Sequence, residues 1–110
     1  MSLTIISLPN FAREVKALHK RYRKIGEDLS KLRSQLIADP KAGVPIGDHC
    51  YKIRLANRSV PTGKSGGFRV VYYYLDGNED LYLISIYSKS DLENISDTKI
   101  TDILKEEGIV

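Results

Sequence analysis

The sequence predicts a single α+β domain over residues 1–110: a twisted, mainly antiparallel four-stranded sheet packed against an N-terminal helical hairpin, with a short C-terminal helix. Three observations predict it. Apolar side chains recur at Phe11, Val15, Leu18, Tyr22, Ile25, Leu29, Leu32 and Leu36, in alternating steps of four and three that lay one stripe along a helical surface. After residue 50 the period drops to two, through Tyr51 to Leu55, Phe68 to Leu75 and Leu81 to Tyr87. Between the last two runs stands Asp76-Gly77-Asn78, a hairpin signal.

Taken in order, Leu3 to Leu8 contains Thr4, Ile5 and Ile6 and reads as a short first strand. Pro9 and Asn10 suit a helix start, while Asp39-Pro40 ends the apolar stripe; Gly43, Pro45 and Gly47 then read as a loop. A single helix running through Gly26 satisfies the stripe, but a small domain needs helices that cover a sheet, which favours two antiparallel helices turning near Lys24 to Gly26. Tyr51, Ile53 and Leu55 share one strand face and leave Lys52 and Arg54 side by side on the other. In the next strand Phe68, Val70, Tyr72 and Tyr74 alternate with Arg69, Val71, Tyr73 and Leu75. Ile100, Ile103 and Leu104, preceded by Asp97, predict a short amphipathic helix over 97–107.

Charge is segregated along the chain. The formal net charge is only +3, yet the first 75 residues carry five acids against fourteen bases, and the remainder nine against three. From His49 to Leu75 the bases Lys52, Arg54, Arg58, Lys64 and Arg69 occur without one carboxylate. Such a block creates a local positive field suited to a polyanion, where a surface with no partner would intersperse acids. Cys50 is the sole cysteine, so an intrachain disulfide and a thiolate metal cluster are both excluded. No apolar run approaches the ~20 residues that cross a bilayer, and the start lacks the pattern of a secretory signal, so a soluble, cytoplasmic protein without membrane association is expected.

Lys52, Arg54 and Arg69 are the leading site candidates, because pairing of their strands would bring three cations onto one sheet face, close enough to grip a phosphate. An ordinary solvated face is the alternative, and the lack of interleaved acids weakens it. Gly63-Lys64-Ser65-Gly66-Gly67 has the wrong glycine spacing for a nucleotide-binding loop and leads into a strand where a helix should begin. His19 and His49 lack metal-ligand spacing, so no metal site is expected. A lone histidine such as His49 at a strand start is more often structural than a proton carrier. Tyr72, Tyr73 and Tyr74 default to core packing over base stacking.

The strings Tyr51-Lys52-Ile53-Arg54-Leu55, Gly67-Phe68-Arg69-Val70-Val71-Tyr72 and Leu83-Ile84-Ser85-Ile86-Tyr87-Ser88-Lys89-Ser90 resemble the RelE/ParE superfamily of toxin-antitoxin toxins, in particular its HigB-like, RelE-type branch. The resemblance spans nearly the whole chain. It implies the RelE-like fold and a ribosome-dependent mRNA endoribonuclease that inhibits translation by metal-independent cleavage at the A site, with no cofactor. The implied partners are a cognate antitoxin, the ribosome and mRNA. The alternative within the superfamily is a ParE-like toxin that inhibits DNA gyrase by binding it, without nuclease activity; such toxins lack the cationic face. Carried over by position, Lys52 and Arg54 match the paired basic strand residues, Arg69 the arginine opening the next strand, and Lys89 the basic residue after the last strand. Arg58 and Lys64 are expected to contact RNA or the ribosome. RelE usually has an arginine directly after that lysine and a tyrosine farther on, whereas Ser90 follows Lys89 here and no tyrosine occurs after Tyr87. Tyr87 is therefore the nearest substitute for a general acid, set against an equal expectation that it caps the sheet.

Overall fold

The computed structural model describes residues 3–60 and 67–110. In chain order these form β1 (Thr4–Ser7), α1 (Pro9–His19), α2 (Ile25–Ala38), β2 (Val44–Gly47), β3 (Cys50–Leu55), β4 (Phe68–Tyr74), β5 (Asp80–Ser88) and α3 (Asp97–Glu106). The strands make one sheet in the order β1-β5-β4-β3-β2. β1 runs parallel to β5 and the other pairs are antiparallel.

The sheet has five strands where four were expected. Gly43, Pro45 and Gly47 crowd Val44–Gly47 and predict a loop there, but β2 is an edge strand, where a proline without an N–H costs no ladder bond. Its two-residue turn to β3 places Asp48 (φ 51°) and His49 (φ 64°) in the left-handed region, as the tight hairpin turn with two positive φ values requires. Asp and His are among the residues that tolerate it best. Tyr72 anchors the approach to β2: its hydroxyl accepts from the Gly43 N–H (3.0 Å) and donates to the Pro40 carbonyl (2.8 Å). Burial pushes that phenol up to about 12, so it keeps its proton and its donor role.

All eight stripe residues pack together. Phe11, Leu18, Tyr22, Ile25, Leu32 and Leu36 are buried, with Val15 and Leu29 against them, on the sheet face carrying Ile53, Leu55, Phe68, Val70, Tyr72 and Tyr74. The helical break falls at residues 20–24, slightly before the expected position, and Gly26 lies inside the first turn of α2. The opposite sheet face is covered over part of its area by α3, through Ile100, Ile103 and Leu104 on Val71, Tyr73, Ile84 and Tyr87. The part α3 leaves uncovered is where the cations gather.

A bulge in β5 sets which side chains reach that face. Val71 pairs with Ser85 and Tyr72 with Leu83, so Ile84 has no partner and the alternation changes phase. Leu81, Leu83 and Ile86 face the helical hairpin, while Ile84 and Tyr87 face α3. Helix α1 satisfies the freed backbone: Asn10 Nδ2 donates to the Ile84 carbonyl (3.0 Å), and Glu14 Oε1 accepts from the Ile86 N–H (3.1 Å) and the Ser85 hydroxyl (2.8 Å).

Candidate active site

The register of three strands builds one cationic row. Arg54 lies directly across from Arg69, and Arg69 directly across from Tyr87, so the three project from the same face. Lys52 is two residues from Arg54 on that face and pairs in register with Val71. After β5, the Lys89 N–H donates to the Gly67 carbonyl (3.1 Å), which carries the ladder one step further and holds Lys89 beside the row. A β-carbon on Gly67 would sit 2.7 Å from the Leu55 carbonyl oxygen, so only glycine permits this approach of the β4 start to the β3 end.

Lys52, Arg54, Arg69 and Lys89 open into a common cleft of about 310 Å³. Its other walls are Val44 and Ile46 of β2, and Glu93 and Asn94 from the segment between β5 and α3. That segment is tied down on both sides. Arg21 pairs with Asp91 at 2.5 Å, Lys52 Nζ donates to Asn94 Oδ1 at 2.5 Å, and Ile95 is buried under α3.

Arg69 is the unusual member. It is only 7% exposed, and the one hydrogen bond its guanidinium makes among the described residues, from Nη1 to the Phe68 carbonyl (3.2 Å), is to a neutral acceptor. The ion pairs among the described residues are Arg21–Asp91 and Lys41–Asp76, so Arg69 has no carboxylate partner there. A guanidinium buried without a counter-charge, and facing a second arginine across the ladder, is unfavourable until an anion enters between them. Two planar forks on paired positions of adjacent strands suit the non-bridging oxygens of a phosphate.

Of the site residues expected from sequence, the structure brings Lys52, Arg54, Arg69 and Lys89 together and sets others apart. Tyr87 stands in the row beside Arg69, but it is 6% exposed, does not line the cleft, and its hydroxyl is buried with no hydrogen-bond partner among the described residues. Burial pushes this phenol up, with the Ile95 backbone and the Arg69 charge acting in the opposite direction. Arg58 is exposed on the turn after β3, away from the cleft, and its N–H points at the buried Asp28 carboxylate (3.3 and 3.4 Å). Lys64 lies outside the described residues. His49 sits in the β2–β3 turn with its ring edge-on to Tyr73, centroids 6.0 Å apart, and does not reach the cleft. Glu93 and Asn94 were not foreseen, because irregular chain carries no periodicity that assigns it a face.

A second cavity, about 260 Å³ between β1 and the two helices, is mostly aliphatic and has Arg33 as its one ionisable wall residue. It lacks the groups that phosphate chemistry needs. Among the described residues no three His, Cys, Asp or Glu side chains stand together as a metal cage, and no helix is long and apolar enough to cross a membrane.

No protein-family model matches the sequence. Among solved structures, the chain is similar to a double arginine-to-alanine mutant of the E. coli toxin RelE in the free state, with a TM-score of 0.62 and 23% identity over 96% of this chain and 98% of that one. It is also similar to the same mutant in complex with an antitoxin RelBc peptide, with a TM-score of 0.55 and 19% identity over 100% of this chain and 97% of that one. The fold of this chain is therefore the RelE fold.

Proposed function

We propose that this chain is a RelE-type toxin: an endoribonuclease that cuts mRNA in the ribosomal A site and is held inactive by a cognate antitoxin. The observation that supports this most is the buried, unpaired Arg69 facing Arg54 in a cleft shared with Lys52 and Lys89. Fold likeness to RelE, free and with an antitoxin peptide, supports the toxin class and the kind of partner. In the proposed reaction the ribose 2′-oxygen attacks the adjacent phosphorus. Arg54 and Arg69 stabilise the charge that builds on the phosphoryl oxygens, a task for which their fixed protonation suits them and which makes proton transfer the work of other groups. Lys52, oriented by Asn94, delivers a proton to the departing 5′-oxygen, and Lys89 holds a neighbouring phosphate. These fixed cations supply the neutralisation that a divalent ion provides in other nucleases. Tyr87 flanks Arg69 across the ladder. Arg58 and Lys64 add contacts to RNA or the ribosome, and an acidic antitoxin segment that folds on binding covers the cleft.

The test is primer extension on an mRNA in a translating extract and on the same mRNA without ribosomes. Cuts that appear only with ribosomes are expected. Loss of DNA supercoiling activity without mRNA cuts would overturn the reading in favour of a gyrase-binding toxin.

A further inference from the structure

Glu93 is the only carboxylate among the described residues lining the cleft, and it forms no ion pair there despite four cations around it: Lys52 and Arg54 on β3, Arg69 on β4 and Lys89 beyond β5. Its backbone is not a free loop. The Arg21–Asp91 pair lies two residues before it, and the Lys52–Asn94 bond and buried Ile95 follow it directly. A carboxylate exposed at the wall of a site built for phosphate opposes substrate binding, because like charges repel. A binding role is thus disfavoured by its sign, and a chemical one is left. The proposed reaction has an unfilled post: the arginines stay protonated, and an ammonium must lose its proton before it can accept another, whereas an ionised carboxylate accepts directly.

We infer that Glu93 is the general base of the cleft, taking the proton of the ribose 2′-hydroxyl as that oxygen attacks the adjacent phosphate. The inference rests on the endoribonuclease reading above. As the O–H bond breaks, its electron pair forms the 2′-oxygen–phosphorus bond and the proton passes to the Glu93 carboxylate. The bond from phosphorus to the 5′-oxygen breaks, and that oxygen takes a proton from Lys52. The products are a 2′,3′-cyclic phosphate and a 5′-hydroxyl end; water then reprotonates Lys52 and removes the proton from Glu93. Asn94 and Glu93, adjacent in sequence, thereby serve the two opposite proton transfers, one by orienting the acid and one as the base.

The experiment is single-turnover cleavage of mRNA on programmed ribosomes across a pH series, with ribosome binding measured alongside, for the parent chain, Glu93→Gln and Glu93→Asp. General acid–base catalysis typically contributes ~100-fold or more, so Glu93→Gln should lose at least about that factor in rate, flatten the acidic limb of the pH profile and bind as tightly as the parent or more so. Glu93→Asp should retain the acidic limb and recover much of the rate. A Glu93→Gln protein that cuts within threefold of the parent with the same acidic limb overturns the inference alone. Loss of binding in step with rate overturns it too, since the residue would then be structural. A parent chain that makes no cuts overturns the endoribonuclease reading and this inference with it.

Discussion

At the scale of single residues, access to the cleft separates the roles that sequence left together. Lys52, Arg54, Arg69 and Lys89 were legible because strand alternation fixes which residues share a face, and pairing of β3 with β4 then brings them to one cleft. Alternation says nothing of depth. Arg69 and Tyr87 are neighbours in the row, yet the guanidinium lines the cleft while the phenol is enclosed. Glu93 and Asn94 were illegible because their position depends on Arg21 and Lys52, which are distant in sequence. The enclosed Tyr87 hydroxyl yields a sharp expectation. Tyr87→Phe removes a polar group that has no well-formed hydrogen bond among the described residues, so denaturant unfolding should show unchanged stability or a gain of up to about 1 kcal/mol, and single-turnover cleavage should stay within threefold of the parent. A loss of about 100-fold in rate, with the fold intact, would instead make the phenol the acid.

At the scale of elements, the helical stripe and the three central strands could be read directly, since each buries one continuous face. What escaped were the features that break period. β2 escaped because glycine and proline mark loops in general and edge strands only in context. The β5 bulge escaped because an unpaired residue is defined by its partner strand. Uninterrupted alternation from Leu81 would send Tyr87 toward the helical hairpin with Leu83; the unpaired Ile84 turns it to the side of Arg69. Helix α1 maintains that geometry through Glu14, which holds the Ile86 N–H and the Ser85 hydroxyl. Glu14→Ala strands a buried backbone donor and should lower unfolding free energy by about 1–3 kcal/mol in urea titration. Glu14→Gln, which keeps an acceptor oxygen, should recover most of it. Equal stability in Glu14→Ala and the parent would show that the bulge does not depend on α1.

Across the whole molecule, the sign segregation seen in the sequence becomes an arrangement of surfaces. Asp76 and Asp91 of the acidic C-terminal part pair with Lys41 and Arg21, while α3 covers one portion of the second sheet face and stops short of the cations. The cleft gathers four cations, Lys52, Arg54, Arg69 and Lys89, against one carboxylate, Glu93, and a small net charge of +3 conceals that local excess. If this cleft cleaves phosphodiesters as proposed, Arg69→Ala should disable it. The measurement is ribosome-dependent mRNA cleavage by the variant, scored beside its thermal unfolding. A cooperatively folded protein with cleavage reduced by at least about 100-fold is the expected result, because in the proposed reaction Arg69 is a donor that acts on transition-state charge. A folded Arg69→Ala protein that cuts mRNA as fast as the parent would show that the cleft is not the cleaving site.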